Sequence, residues 1–496
     1  MDLPLSLDRT SGTTLQMQLC DQLRAAILDG RLAAGTRLTS TRALAESLAL
    51  SRNVVVAAYD ELYAEGYVEG YHGSGTFVTR DLPPLPKRTR PEPAGAPRWL
   101  RTPAPPELDM LEDDPNLIVF RIGRPNTSLI SAETWRRAWS DVANQLPPSY
   151  YGSPAGDDRL RRLIADYLGR SRGVACESAD VVITSGALQA VDLVARATLR
   201  VGDPIAIEEP GYPSARRVFL ARGAEIVPVP VDVDGLRVEE LPDGDSAPLL
   251  VYTTPSHQYP LGARLSIRRR LALLSWAERC DALIVEDDYD SEYRYDSPPL
   301  PALAGLDQAG RVVYIGTFSK VLSPALRLGY VVAPPPLRER IVRLKRLSDY
   351  HTPWPVQRAL ATFIESGGLE RHIRRARRHY AEKRRIVADA FRPVAELTTL
   401  RGLDAGIHVC LELHPALDAQ RVIERAHRAG VVVESITEHY LGAPQLNGLL
   451  LGYGGLTLDQ AERGSAILAS AIREEADDSP CVYAHRPGLI NQTPTI

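Results

Sequence analysis

A lone lysine in the middle of the chain stands close to groups that could hold a phosphate. Lys320 follows Thr317 and Ser319 at the end of an apolar run, residues 312–315, and Arg327 comes seven positions later in an otherwise uncharged stretch. A lysine amine can form a Schiff base with an aldehyde, and hydroxyl groups with a guanidinium supply hydrogen-bond donors to a phosphate. Pyridoxal phosphate carries both an aldehyde and a phosphate, so this spacing predicts a site for it.

A second possible phosphate contact lies in residues 185–189, Ser-Gly-Ala-Leu-Gln, which follow an apolar run and open an amphipathic helix. Backbone amides at the start of a helix can bind a phosphate, helped by the helix dipole. Small residues in such a place also make ordinary strand-to-helix turns. This segment alone does not separate the two interpretations.

Aromatic and acidic residues follow two further apolar runs. Tyr212, in Glu-Glu-Pro-Gly-Tyr-Pro, could stack on a pyridine ring or could be a packed loop tyrosine. In the cluster 286–292, Asp287 suits the ring nitrogen of the cofactor and Tyr289 its ring oxygen. The cofactor acts as an electron sink when a carboxylate keeps that nitrogen protonated. An acidic cluster of this kind is as often a metal site or a solvated loop.

The elements that must position these residues alternate between apolar strands and amphipathic helices. This pattern predicts a mostly parallel sheet with helical crossovers, and ligands bind at the carboxyl ends of the strands in such sheets. The residues described above follow the ends of predicted strands. The predicted strands are 181–184, 205–208, 249–252, 282–286, 312–315 and 330–333.

The first 79 residues have a different pattern. Apolar residues at helical spacing predict three short helices, and two β-prone runs follow on either side of residues 72–75. Three helices followed by a hairpin form a winged helix-turn-helix. Residues 1–78 hold six Arg against nine acids, yet residues 31–53 contain four Arg and only Glu46. This local positive charge favours DNA, while a protein-contact domain of the same shape is the alternative.

Composition sets limits on the whole protein. The chain has 496 residues, a net charge of −4 and a pI of about 6.2, so any contact with nucleic acid must be local. Its five cysteines lack metal-ligand spacing and suggest reduced thiols, and no metal site is predicted. No signal peptide and no membrane-spanning apolar run can be recognised. We therefore expect a cytoplasmic protein without membrane contact.

Four parts can be distinguished along the chain. We expect a winged helix-turn-helix over residues 1–79, a linker over 80–112, a cofactor-binding domain over 113–476 and a disordered tail over 477–496. The linker holds nine prolines and the tail holds three, which argues against regular structure in both.

The segment GTRLTSTRALAESLALSRNVVVAAYDELYAEGYVEGYHGSGTFV resembles the DNA-binding domain of the GntR family, and the resemblance covers residues 10–79. It implies binding to double-stranded DNA with repeated half-sites. It places Arg42 and Arg52 at bases or phosphates, Ser51 and Asn53 at the start of the recognition helix, and His72 and Gly73 in the minor groove.

Residues 115–475 resemble fold-type I aminotransferases, which are large α/β proteins that depend on pyridoxal phosphate. Together with the first 79 residues they resemble the MocR subfamily of GntR-family transcriptional regulators. The stretch Thr-Pro-Ser-His-Gln-Tyr-Pro-Leu-Gly, residues 254–262, strengthens this assignment because MocR proteins typically carry TPxHQxPxG. Ordinary aminotransferases carry Asn-Pro-x-Gly there. Tyr259 occupies the asparagine place, so that hydrogen bond to the cofactor ring is absent or comes from another group.

The resemblance assigns a role to each candidate. Lys320 becomes the Schiff-base residue, Asp287 the partner of the ring nitrogen, Tyr289 the partner of the ring oxygen and Tyr212 the stacking aromatic. Tyr151 would reach the phosphate from a second subunit, which implies a homodimer. The other implied phosphate contacts are Ala187, Gln189, Thr317, Ser319 and Arg327.

The chain departs from the aminotransferase pattern at one position that bears on aminotransferase activity. Aminotransferases hold the α-carboxylate of a substrate with an arginine near the C-terminus, and alignment places Leu450 there. Arg216 or His408 could bind a different ligand, although a solvated helix face and a satisfied strand position are the simpler interpretations. The run 371–385, with eight basic residues and Glu382, is interpreted as a solvated helix face, with DNA contact as the alternative.

These observations predict a homodimeric, DNA-binding regulator with an N-terminal winged helix-turn-helix and a fold-type I aminotransferase-like domain. We expect it to sense pyridoxal phosphate itself, with vitamin B6 genes as targets, or else an amine or amino acid through the cofactor. A working aminotransferase with an accessory head is one alternative. A DNA-binding protein whose large domain only dimerises is another.

Overall fold

The computed structural model describes residues 5–71, 75–80, 114–295 and 301–479, and the chain divides into two compact units, Met1–Met110 and Leu111–Ile496. Within the described ranges, no helix has the length and apolar character needed to cross a lipid bilayer. His72, Gly73, nearly all of the predicted linker and residues 480–496 of the predicted tail lie outside the described residues.

The first unit consists of three helices and a hairpin, as predicted. Its elements are α1 (Leu15–Leu28), α2 (Thr41–Ser47), α3 (Arg52–Ala64), β1 (Val68–Tyr71) and β2 (Gly75–Val78). The Ser40 hydroxyl caps α2 by accepting a hydrogen bond from Ala43 N at 3.3 Å. Leu19, Val55 and Leu62, at the predicted apolar positions, are completely buried in the shared core. The winged helix-turn-helix fold is confirmed.

The second unit alternates strands and helices along most of its length. Its strands are β3 (Ile118–Val119), β4 (Val181–Thr184), β5 (Pro204–Glu209), β6 (Glu225–Asp232), β7 (Gly235–Leu236), β8 (Leu250–Thr253), β9 (Leu283–Asp288), β10 (Val312–Thr317), β11 (Gly329–Val332), β12 (Thr398–Arg401), β13 (His408–Leu413), β14 (Val431–Val432), β15 (Glu434–Ser435) and β16 (Gly448–Gly452). Its helices are α4 (Ala132–Ala143), α5 (Asp158–Arg172), α6 (Ala187–Thr198), α7 (Pro213–Ala221), α8 (Ile267–Arg279), α9 (Leu303–Leu306), α10 (Pro335–Ser348), α11 (Trp354–Glu365), α12 (Gly368–Ala390), α13 (Ala419–Arg428) and α14 (Leu458–Asp477).

Eight strands form one large sheet in the order β4-β11-β10-β9-β8-β5-β6-β7. Strands β6, β5, β8, β9 and β10 run parallel to their neighbours in that series, whereas β11 and β7 pair antiparallel. The central strands β8, β9 and β10 are almost entirely buried, which explains the apolar runs in their sequences. The mostly parallel sheet is confirmed, and the strand ends differ from the prediction by only one or two residues.

A smaller antiparallel sheet has the order β12-β13-β16-β15. Helices α12, α13 and α14 supply residues to the same core, for example Tyr380, Val422 and Leu468. Strand β13 begins at His408 next to the large sheet, so the smaller sheet adds a wall to the region where the large sheet's strands end.

Candidate functional site

A cavity of about 270 Å³ lies at the carboxyl ends of the parallel strands. Most of the residues that line it lie at the ends of strands β4, β5, β8, β9 and β10 or follow them, and His408 of β13 lines it from the smaller sheet. This is the edge at which ligands bind in open α/β sheets. The predicted cofactor residues that line the cavity are Ala187, Tyr212, Asp287, Tyr289, Thr317, Ser319, Lys320 and Arg327.

Two of the predicted cofactor contacts do not line this cavity. The Gln189 side chain donates to Asp349 Oδ2 at 2.8 Å and accepts from Ser185 N at 2.7 Å, so it braces the turn before α6. Tyr151 is 60% exposed and stacks on Tyr350 with ring centroids 4.3 Å apart. Within one chain, neither side chain points into the cavity.

Lys320 is held by the backbone of a neighbouring glycine. Its Nζ donates to the Gly123 carbonyl oxygen at 3.1 Å, and a Cβ at position 123 would collide with Nζ. Burial lowers the pKa of Lys320, and the charges of Asp290 and Asp287 oppose this shift. A lowered pKa enlarges the fraction of neutral amine, which is the nucleophilic form.

An arginine and a helix start form one end of the cavity. Helix α6 has Gly186 as its N-cap without a side-chain cap, so its first amide groups remain available to a ligand. Arg327 Nη2 donates to the Ser185 carbonyl oxygen at 2.7 Å, directly beside this helix start. The Arg327 backbone has a left-handed φ of 48°, a conformation disfavoured for a residue with a side chain and often found at functional sites.

Two hydroxyl groups complete this end. Ser319 N donates to Thr317 Oγ1 at 3.1 Å, and the two hydroxyl oxygens lie 3.0 Å apart. Amides, hydroxyls and a guanidinium that converge in this way form a binding site for an anion of phosphate size.

Asp287, near the carboxyl end of β9, lines the cavity with half of its carboxylate unsatisfied. Tyr252 donates its hydroxyl to Asp287 Oδ2 at 2.5 Å, while the buried Oδ1 has no hydrogen-bond partner among the described residues. Burial raises the pKa of Asp287 to about 7. A buried carboxylate oxygen without a donor suits a ligand that brings a cationic N–H, as a protonated pyridine does.

Aromatic side chains form the remaining wall. The Tyr212 and Tyr259 rings meet edge to face with centroids 5.3 Å apart, and Tyr259 lies 5.7 Å from the His408 ring. Burial lowers the pKa of His408 far below its usual value, so His408 lines the cavity as a neutral ring. The cavity therefore offers flat, uncharged surfaces to a flat ring.

The other acids of the 286–292 cluster have structural partners. Asp288 forms an ion pair with Arg172 at 2.6 Å, and Glu286 accepts hydrogen bonds from the backbone of Leu303 and Ala304 at 2.9 Å. Glu286, Asp288 and Asp290 are buried and Glu292 is half-buried, so the solvated-loop interpretation is wrong.

Sequence reasoning missed a histidine–aspartate pair beside the cavity. His257 Nδ1 lies 3.0 Å from Asp290 Oδ2 and 3.1 Å from the Tyr289 hydroxyl. His257, Asp290 and His408 form one group of possible metal ligands among the described residues, and their ligand atoms lie within 4.8 Å of one another. His257 belongs to the TPxHQxPxG stretch and Asp290 to the acidic cluster, but only the fold shows that they meet.

Two residues connected with substrate binding lie away from the cavity lining. Leu450 is completely buried opposite Cys410, where β16 pairs with β13, and belongs to a small apolar cluster. Arg216 donates to the carbonyl oxygens of Glu438 at 3.2 Å and His439 at 3.4 Å, so it holds a loop of the smaller sheet. Arg327 is the one arginine among the described residues that line the cavity.

The predicted DNA-contacting residues of the first unit lie at its surface. Arg42 on α2 and Arg52 and Asn53 at the start of α3 are exposed, as is Ser51, the N-cap of α3. Neither arginine forms an ion pair with a described residue, so both remain available to phosphates or bases. Arg37, which is not among the predicted DNA contacts, has its Nε 3.1 Å from the position that a Cβ would take on Gly75 of the wing.

The basic run 371–385 belongs to the single long helix α12. Arg375 donates to the Leu129 carbonyl oxygen at 2.8 Å and Arg377 to that of Glu292 at 2.7 Å, so part of its charge holds neighbouring loops. Arg374 and Arg378 are exposed. These contacts favour the helix-face interpretation.

A winged helix-turn-helix followed by a lysine-bearing cavity at the edge of a mostly parallel sheet defines a class of protein: a DNA-binding regulator with an aminotransferase-type domain. Comparison with known families agrees. Residues 116–445 match the family described as aminotransferase class I and II, and residues 15–78 match the bacterial regulatory proteins of the gntR family.

Known proteins of both kinds are similar to this chain. The probable rhizopine catabolism regulatory protein MocR of Rhizobium meliloti is 40% identical over 94% of this chain and 96% of its own length. The pyridoxine biosynthesis regulator PdxR of Corynebacterium glutamicum is 37% identical over 95% of this chain and 99% of its own length. The kynurenine aminotransferase of Pyrococcus horikoshii is 29% identical with a TM-score of 0.67, covering 73% of this chain and 91% of that structure. The chain belongs to the MocR subfamily of GntR-family transcriptional regulators.

Proposed function

We propose that this regulator binds pyridoxal phosphate in the cavity around Lys320 and that the occupancy of the cavity controls DNA binding by the winged helix-turn-helix. The observation that carries the proposal is the donor and acceptor set of the cavity. Arg327 and the start of α6 suit a phosphate, the unsatisfied Oδ1 of Asp287 suits a ring N–H, and the Lys320 amine lies in the same cavity.

Each residue has a separate task in this proposal. Asp287 holds a proton on the ring nitrogen, the Tyr289 hydroxyl donates to the ring oxygen, and Tyr212 packs on the ring face. Lys320 supplies the amine for the covalent bond to the aldehyde. When bound, the cofactor supplies a reversible covalent attachment and an electron sink.

The charged residues that line the cavity indicate which ligand acts as the signal. An amino acid needs a cation for its α-carboxylate, yet Arg327 is committed to the phosphate end and Leu450 lies in an apolar cluster. Pyridoxal phosphate itself therefore fits as the signal, and vitamin B6 genes are the corresponding targets. The similar protein PdxR carries pyridoxine biosynthesis in its name. An amine or amino acid that reacts with the bound cofactor is the second regulatory option.

We further propose that the protein is a homodimer on DNA with repeated half-sites. Tyr151 is exposed and lies away from its own cavity, as expected of a side chain that reaches the phosphate of a second subunit. Arg42, Ser51, Arg52 and Asn53 would contact the major groove of each half-site. His72 and Gly73 are proposed for the minor groove on the family resemblance alone.

A footprint on the gene's upstream region tests both halves of the proposal. The full-length protein is examined without ligand, with pyridoxal phosphate and with added amines, and Lys320→Ala serves as the matched variant. We expect a footprint whose pattern changes with pyridoxal phosphate in the wild type and does not change in Lys320→Ala. A footprint that ignores pyridoxal phosphate, or an equal response of Lys320→Ala, would overturn the sensing proposal.

A working aminotransferase is the second candidate, favoured by the match of residues 116–445 to that family. A steady-state assay with an amino acid and a 2-oxo acid separates the two. Turnover at ordinary enzyme rates, about 1–10³ s⁻¹, without a footprint would replace the regulator proposal by this one.

A further inference from the structure

Two buried side chains beside the cavity, His257 and Asp290, form a hydrogen-bonded chain that ends at the hydroxyl of the half-buried Tyr289. His257 follows β8, and Tyr289 and Asp290 follow β9. His257 Nδ1 lies 3.1 Å from Asp290 Oδ1, 3.0 Å from Asp290 Oδ2 and 3.1 Å from Tyr289 Oη. His257 is 2% exposed and Asp290 is 1% exposed, so bulk water does not compete for these hydrogen bonds.

The surrounding backbone holds the imidazole in one place. A Cβ at Gly406, which has a left-handed φ of 76°, would collide with His257 Cε1 and with Asp290 Oδ2. A Cβ at Gly262 would stand 2.8 Å from His257 Nε2. Both positions bring backbone close to the ring, which therefore has little room to turn and exchange its two nitrogens.

The neighbours of the ring decide which nitrogen carries the hydrogen. A carboxylate only accepts hydrogen bonds, so Nδ1 beside Asp290 carries the hydrogen and donates it. The buried Nε2 has no partner among the described residues, which is less costly for a lone pair than for an N–H. The hydrogen of His257 that matters here therefore lies on Nδ1.

This tautomer limits what the Tyr289 hydroxyl can do. A protonated Nδ1 has no lone pair to offer, so Tyr289 cannot donate its hydrogen to His257 and can only accept from it. The hydroxyl hydrogen is then free to turn toward the cavity that Tyr289 lines. With the opposite tautomer, Tyr289 would donate to Nδ1 and present only lone pairs to a ligand.

We propose that His257 and Asp290 are positioning residues that direct the Tyr289 hydroxyl hydrogen into the cavity, where it is donated to the ring oxygen of the cofactor. This inference rests on the proposed function, and it gives the histidine of the TPxHQxPxG stretch, His257, a role in cofactor binding. The titratable groups that surround Tyr289 are Asp287, Asp290, Glu208, Tyr259, Lys320, His257 and His408.

A spectroscopic pH titration of the full-length protein loaded with pyridoxal phosphate tests the inference. A hydrogen bond donated to the ring oxygen makes that oxygen a weaker base, so its loss raises the pH midpoint of the cofactor's absorbance change. In His257→Phe, the Tyr289 hydroxyl loses the N–H that fixes its orientation, and the unpaired Asp290 carboxylate is expected to compete with the cofactor for its hydrogen. We expect the midpoint to rise by about 0.5 to 1 pH unit, as in Tyr289→Phe, and Asp290→Asn to shift it in the same direction.

Two further variants separate positioning from general damage. His257→Asn keeps an N–H close to the position of Nδ1. Its midpoint should therefore lie closer to the wild-type value than that of His257→Phe. His372→Phe removes a buried histidine of α12 that lies 2.7 Å from the Val321 carbonyl oxygen outside the cavity, and it should lower stability without moving the midpoint.

The outcomes distinguish the two proposals. Wild-type midpoints in both His257→Phe and Asp290→Asn would overturn the positioning role while leaving cofactor binding intact. Wild-type protein that shows no cofactor absorbance would overturn the proposed function instead. If His257→Phe does not fold, the comparison of Asp290→Asn with His257→Asn decides, because only the former is expected to shift the midpoint.

Discussion

Replacing Asp287 by asparagine should stabilise the ligand-free protein and weaken cofactor binding in the same variant. Burial raises the pKa of Asp287 from 3.8 to about 7, so the folded protein binds this proton more tightly than the unfolded chain does. The stability that the protonated carboxyl provides is complete below about pH 4 and is lost as the pH rises through 7. About three pKa units at about 1.4 kcal/mol each give a cost of about 4 kcal/mol at pH 8.

Asparagine avoids that cost because it is neutral, has the same shape and can still accept the Tyr252 hydrogen bond. Ligand-free Asp287→Asn should therefore melt at a higher temperature than the wild type at pH 8, and the difference should shrink toward pH 5. The effect on binding has the opposite sign. A charge-assisted hydrogen bond contributes about 1.5–3 kcal/mol, so Kd for pyridoxal phosphate should rise by about 10- to 150-fold.

Thermal melts at pH 5 to 8 and absorbance titrations with pyridoxal phosphate measure the two effects. Glu286→Gln is the matched control, because Glu286 is buried on the same strand but bonds the backbone of Leu303 and Ala304 outside the cavity lining. Its Kd should stay at the wild-type value. An Asp287→Asn protein that melts at a lower temperature at pH 8 and keeps the wild-type Kd would refute the assignment of Asp287 as the partner of the ring nitrogen.

Three further predictions concern the proposed phosphate contact, the proposed DNA contact and the proposed subunit contact. Arg327→Gln should weaken pyridoxal phosphate binding by about 10-fold or more and leave pyridoxal, which lacks the phosphate, unaffected in equilibrium dialysis; equal losses for both ligands would contradict the phosphate role. Arg52→Ala should reduce the slope of log K for DNA against log salt concentration by about 0.9 in filter-binding assays, and an unaltered slope would remove Arg52 from the phosphate contacts. Tyr151→Phe should lower pyridoxal phosphate affinity without changing the oligomeric state measured by sedimentation, and an unchanged affinity would argue against the proposed shared site.

The apolar runs of the predicted strands were enough to locate most of the residues that line the cavity. The runs that became β9 and β10 are buried on both faces, so their apolar sequences mark the strands and also mark where Asp287 and Lys320 must emerge. All carboxyl ends of parallel strands meet at one edge, and for that reason residues more than a hundred positions apart could be assigned to one site.

Pairings between loops could not be predicted in the same way. Gln189 was expected at the phosphate, but Asp349, 160 positions later, holds its side chain. His257 and Asp290 belong to separate loops after β8 and β9, and neither sequence pattern carries information about the distance between them. Such contacts depend on loop geometry, which local periodicity does not encode.

Because residues of both sheets line the cavity, a bound ligand would contact both sheets at once. Lys320 and Asp287 come from the large sheet and His408 from the smaller one, so the ligand's binding free energy also holds the two sheets at one spacing. At a ligand concentration of 100 times Kd, binding would stabilise the folded chain against the unfolded chain by about 2.7 kcal/mol. The same molecule would then be both the effector and a contact between the two sheets. Its loss would weaken the packing of the smaller sheet against the larger one.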